Sequence, residues 1–149
     1  HVRFTFWKSR PAFMNIIMTR TDPIIMVDDS AADRLIAKRC YHKSVLQNPF
    51  ITFSGGTEFL THMDSVLIRE ALMPALVLLD LNMPKLGGFE VLGFIRQHPE
   101  FTHAPIIVML TNTDNPKDLK RSMDMGANGF QTKPFHVADY IAFFDSFGE

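Results

Sequence analysis

The chain has 149 residues, 46% of them hydrophobic and 21% charged, which suits one globular domain around one core. A formal net charge of -1 gives no basis for an extended nucleic-acid footprint, and no apolar run approaches the ~20 residues of a membrane-spanning helix. Cys40 is the only cysteine, so an intrachain disulfide is excluded and the chain reads as cytoplasmic.

Residues 1–20 mix aromatics, bases and a short apolar patch, and predict an appended, upstream-translated or disordered tail, with Met14 or Met18 as a natural start. Arg3, Lys8 and Arg10 are followed by too short an apolar segment for a signal peptide. A partner-binding arm is the alternative. The globular domain is expected over residues 21–149.

From Pro23 onward strands and helices alternate. Ile24 to Val27 is a short apolar run that ends on Asp28 and Asp29. Ser30 then caps a helix, with Asp33 three residues later as in a capping box. Ala32, Leu35, Ile36 and Cys40 are expected to form its inner face. Asn48-Pro49 breaks the chain before a strand over 50–53, and Gly55-Gly56 turns it into a helix with Phe59, Leu60, Met63, Val66 and Leu67 inward.

Ala75 to Leu79 is the third strand, ending on Asp80. Gly87-Gly88 opens a helix with Val91, Leu92 and Ile95 inward. Ile106 to Leu110 is the fourth strand and leads to Thr111. Asn115 followed by Pro116 starts a fourth helix, and Gly126 stops it. Gly129-Phe130-Gln131 predicts a short fifth strand before Lys133. Val137, Tyr140, Ile141 and Phe144 mark the last helix.

Five strand–helix units in succession predict an α/β domain with a parallel sheet and helices on both faces. Sites in such sheets gather at the carboxyl ends of the strands. Two apolar strands that both end in acids are electrostatically costly unless a cation joins them. Asp28, Asp29 and Asp80 are therefore candidate ligands of Mg2+, which takes oxygen donors and keeps waters. One carbonyl near Asn82 would add to the shell. Asp80 is a candidate nucleophile toward phosphorus, with Lys133 and Thr111 to neutralise and bind the phosphoryl oxygens.

These motifs, taken in order, resemble the receiver domain of two-component response regulators: the pair Asp28-Asp29, the segment Leu79-Asp80-Leu81-Asn82-Met83-Pro84 followed by Gly87, Thr111 after the fourth strand, and Lys133-Pro134 after the fifth. The resemblance implies a flavodoxin-like, CheY-like sheet of order 2-1-3-4-5. It implies that Asp80 accepts a phosphoryl group from a histidine kinase. Asp28, Asp29, Asp80 and the backbone carbonyl of Asn82 would hold Mg2+, and Thr111 with Lys133 would bind the phosphate. It further implies a switch pair, Thr111 and Phe130, and a cis peptide before Pro134. The implied protein is a phosphoacceptor, not an enzyme beyond self-phosphorylation from phosphodonors and slow self-dephosphorylation.

Two features depart from most receivers. Asn112 stands where Ala or Gly is usual, and the stretch between Asp29 and Asp80 is longer. The latter, with Asn48-Pro49, Gly55-Gly56 and Gly126-Ala127-Asn128, resembles single-domain regulators paired with phytochrome-type kinases. Expected partners are such a kinase and a downstream protein target, with no nucleic acid and no membrane, the chain acting as a monomer or homodimer. The rival reading is an Asp-nucleophile phosphatase or phosphotransferase of haloacid-dehalogenase type. Such enzymes carry a second acid two residues after the nucleophile, where this chain has Asn82.

Overall fold

The computed structural model describes residues 4–6 and 20–148. Its strands are β1 (Phe4–Phe6), β2 (Ile24–Val27), β3 (Phe50–Phe53), β4 (Leu76–Asp80), β5 (Ile106–Thr111) and β6 (Gly129–Thr132). Its helices are α1 (Ala31–His42), α2 (Gly56–Leu67), α3 (Gly88–Gln97), α4 (Pro116–Asp124) and α5 (Val137–Asp145), with a 3-10 turn over Pro99–Phe101.

The strands form one sheet in the order β1-β6-β5-β4-β2-β3. The five from β2 onward are mutually parallel, and numbered among themselves they give the expected order 2-1-3-4-5. Residues of β2, β4 and β5 are buried throughout, because helices cover both faces of a parallel sheet. Alternation divides them between two cores. Ile24, Met26, Leu76 and Leu78 pack with Tyr41, Tyr140 and Phe144 from α1 and α5. Ile25, Val27, Val77 and Leu79 pack with Phe59, Met63, Val91 and Leu92 from α2 and α3.

The sixth strand was not expected. Residues 4–6 lie in the segment read as a tail, and their backbone pairs antiparallel with β6 in the register Phe4↔Gln131, Thr5↔Phe130 and Phe6↔Gly129. The rest of that segment, residues 1–3 and 7–19, lies outside the described residues.

The inner face of α1 also differs from the expected one. Ala37, Cys40 and Tyr41 are buried, whereas Leu35 and Ile36 are 49% and 46% exposed and Ala32 is exposed. Both stripes fit a 3.6-residue period. Tyr41 decides between them: its ring stacks on Phe50 at 4.5 Å and its hydroxyl donates to Asn48 O at 2.6 Å. Likewise α5 buries Tyr140, Phe143 and Phe144 while Val137 faces outward.

Two further contacts set the frame. Arg96 of α3 donates to Gly126 O, Phe101 O and Asn128 Oδ1 at 2.9, 3.0 and 2.9 Å. Asn128 Oδ1 also accepts from Ile107 N–H at 2.9 Å. This network ties α3 to the starts of β5 and β6, and burial lowers the guanidinium pKa to about 10. Gly126 ends α4 with φ +95°, a conformation that favours glycine.

At the other end of the sheet, α3 starts against the carboxyl end of β4. A Cβ on Gly88 would sit 2.4 Å from Asp80 O and 2.8 Å from Leu81 Cα. A Cβ on Gly87 would meet nothing nearer than 3.6 Å, and its φ of -76° suits any residue. Gly88→Ala should therefore destabilise the protein by about 1–3 kcal/mol in urea unfolding, because the Asp80–Leu81 backbone must shift. Gly87→Ala should cost less than about 1 kcal/mol in the same measurement, the usual penalty for alanine at a helix cap.

Candidate functional site

The register Val27↔Leu79 sets β2 and β4 side by side, so Asp28 and Asp80 leave the sheet at neighbouring points. Each is held by a short turn of its own backbone. Ser30 N–H donates to Asp28 Oδ1 at 2.9 Å, and Asn82 N–H donates to Asp80 Oδ1 at 3.3 Å. Arg34 of α1 donates to Asp28 O at 2.7 Å. Asp28 and Asp80 are buried and Asp29 is exposed, yet one carboxylate oxygen from each lies within 4.8 Å of the other two. Asp29 also borders a hollow of about 410 Å³ that includes Ser54, Glu58, Met83 and Lys85.

Lys133 enters from β6. Its N–H donates to Thr111 O at 2.7 Å, which ties the exit of β6 to the last residue of β5. Its ammonium lies 2.8 Å from Asp28 Oδ2, 3.0 Å from Asp33 Oδ2 and 3.5 Å from Asp80 Oδ2. Burial alone would lower the Lys133 pKa, but its pairing with Asp28, Asp80 and Asp33 outweighs that and raises it. The ammonium therefore stays charged.

Asp80 behaves in the opposite way. Burial raises its pKa from the ordinary 3.8 to about 7; Lys133 counteracts this, and the charges of Asp28 and Asp29 add to the rise. One lysine does not compensate the cluster. Asp28 Oδ2 is buried and, despite its nearness to Lys133, accepts no well-aligned hydrogen bond. A buried carboxylate oxygen with that lone pair open, beside two more carboxylates, is a donor set for a hard divalent cation.

Thr111, at the end of β5, is fully buried and its Oγ1 accepts from Thr113 N–H at 3.2 Å. Asn112 beside it is exposed. Phe130 is buried in the same core as Met83 and Met109. Asp28, Asp29, Asp80 and Lys133 thus come together as the sequence predicts, with Thr111 at the adjoining strand end.

The expected cis bond is corrected. Among the described residues the cis peptide is Ala104–Pro105, and Lys133–Pro134 is not cis. The two isomers of an X–Pro bond differ by only about 0.5–1 kcal/mol, so tertiary packing decides and the local sequence does not. The sequence pattern assigns Asp33 a capping role alone. Its N–H does bond to Ser30 Oγ at 3.1 Å, but its carboxylate reaches Lys133 instead of the cap. The signal was available in its position, in the first turn of the helix that directly follows Asp28-Asp29.

A family model described as the response regulator receiver domain matches residues 24–144. The response regulator Rcp1 of Synechocystis sp. is 32% identical over 117 residues, 78% of this chain and 79% of that protein. The structure titled as the Mn(2+)-bound form of Rcp1 superposes with a TM-score of 0.71 at 28% identity, covering 84% of this chain and 90% of the other. The phosphorylated cyanobacterial phytochrome response regulator RcpA gives 0.73 at 28% identity, covering 85% and 90%. Some relatives are longer: the sensory transduction protein BceR of Halalkalibacterium halodurans is 44% identical over 72 residues, which are 48% of this chain but 29% of that protein. The haloacid-dehalogenase alternative finds no support, since the matched family is a different one and position 82 carries an amide. From the ordered motifs, the sheet order and these matches together, the chain belongs to the response regulator receiver domain family and is a two-component response regulator.

Proposed function

We propose that this receiver accepts a phosphoryl group on Asp80 from a phosphohistidine of a histidine kinase, in a Mg2+-dependent reaction, and presents a changed surface to a downstream protein. The observation that carries this reading is the convergence of Asp28, Asp29 and Asp80 within 4.8 Å of one another, with the Lys133 ammonium 3.5 Å from Asp80 Oδ2. An Asp80 oxygen attacks phosphorus, the P–N bond to the imidazole breaks, and the imidazole leaves with the electron pair. Asp28, Asp29, Asp80 and the carbonyl of Asn82 would hold the cation, which when bound neutralises phosphoryl oxygens. Lys133 neutralises another of them and the Thr111 hydroxyl donates to one, so positioning and electrostatics supply most of the rate.

The added charge of about -1.5 to -2 is the driving force for a switch. Thr111 is the residue that moves toward it and Phe130 the ring that follows. The backbone supports a route outward: Phe130 and Lys133 lie on one short strand and its exit, and Lys133 N–H is tied to Thr111 O. Likeness to Rcp1 and RcpA supports a kinase of phytochrome type as the donor. The receiver unit spans residues 21–149 in this reading.

Incubation with acetyl phosphate and Mg2+ should add one phosphoryl group by intact mass to the unsubstituted chain and none to Asp80→Asn. Sustained turnover of a generic phosphoester would overturn the reading. Mg2+ affinity should rise as pH increases through about 7, because the cation displaces the Asp80 proton; Asp80→Asn should flatten that profile, measured by calorimetric titration. In metal-free protein the sign for stability is the reverse. The raised Asp80 pKa gives a contribution that is present below its unfolded value near 3.8 and lost as pH rises through about 7, which urea unfolding at several pH values checks against Asp80→Asn.

A further inference from the structure

Lys133 has one anionic neighbour that the phosphoacceptor reading leaves without a task. Asp33, in the first turn of α1, places Oδ2 3.0 Å from the ammonium, yet it stands outside the trio of clustered ligand atoms. In a capping box, the acid at this position turns back to the N–H of the cap residue. Here the Ser30 N–H is taken by Asp28 Oδ1, so the Asp33 carboxylate is left to Lys133. Its side chain is 39% exposed, against 11% for Lys133 and complete burial for Asp28.

The ammonium therefore stands between an inward and an outward pull. Inward lie Asp28 and Asp80, whose oxygens the cation also needs. The ammonium already touches Asp28 Oδ2 at 2.8 Å; drawn fully onto Asp80 as well, it would compete for that carboxylate and would repel the cation. Outward, among the described residues, lies Asp33. Resting on the phosphoacceptor reading above, we infer that Asp33 is a positioning residue. It holds the Lys133 ammonium back from Asp80, 3.5 Å away, and so keeps the Asp80 carboxylate open to a divalent cation. It acts through Lys133 and not as a ligand.

The test is a double-mutant cycle on Mg2+ affinity, read from amide chemical shifts of the full chain titrated with MgCl2 and no phosphodonor. Asp33→Asn should weaken Mg2+ binding about threefold to tenfold while Lys133 is present. Asp33→Glu, which keeps the charge, should restore most of that loss. In a Lys133→Ala background, Asp33→Asn should change the affinity by less than about twofold. Equal factors in the two backgrounds would mean a simple through-space charge effect and would overturn the inference, as would unchanged affinity in the single variant. The spectra themselves report folding, and Asp33→Ser takes the place of any Asn variant that fails to fold. Failure of the unsubstituted chain to bind Mg2+ would sink the phosphoacceptor reading together with this inference; binding without coupling would sink only the inference.

Discussion

One ammonium group serves a buried corner that contains more negative charge than it can neutralise. Lys133 touches Asp28, Asp33 and Asp80, and Asp29 stands beside them. Removing charges from water is expensive, and the cost is recovered only with close partners on every side. The imbalance appears directly in Asp80, whose carboxyl is pushed up to about 7 by burial even with the lysine nearby. A site built this way is incomplete by its own electrostatics. It favours a further cation, and then a group that brings its own oxygens.

The sheet makes this arrangement possible at low cost. β2, β4 and β5 are sealed on both faces, so their ends are rigid and their register is fixed by two packed cores. The acids sit at the strand ends, Asp80 as the last residue of β4 and Asp28 one step beyond β2, where turns supply backbone N–H groups to their oxygens. Gly88 adds a constraint from the other side, since α3 begins so close to Asp80 O that no side chain fits between them. The position of the phosphoacceptor candidate is thus set by strand, turn and helix together.

Much of this was legible because the informative segments are short and unambiguous. An apolar run of four or five residues ending on an acid gives both the strand and the place of Asp28 and Asp80, and these two ends followed by Thr111 and Lys133 after two further strands give the family resemblance. Other features were not legible for identifiable reasons. On α1, Leu35 and Ile36 offer as good a helical stripe as Ala37, Cys40 and Tyr41, and only the contacts of Tyr41 with Phe50 and Asn48 decide. The glycine that α3 demands is Gly88 and not its neighbour, which depends on a distance and not on composition. Asp33 fits a capping pattern well, and that local explanation hid its long-range partner, 100 residues away in the chain.

The pairing of β1 with β6 has a consequence for how separate molecules meet. Bare strand rims offer unpaired backbone groups to any extended peptide, including a neighbour of identical sequence. Residues 4–6 occupy the rim at β6, so among the described strands the outer ones are β1 and β3. Growth of the sheet from one molecule to the next would therefore start from the three-residue β1 or from β3, and not from the strand that carries Phe130.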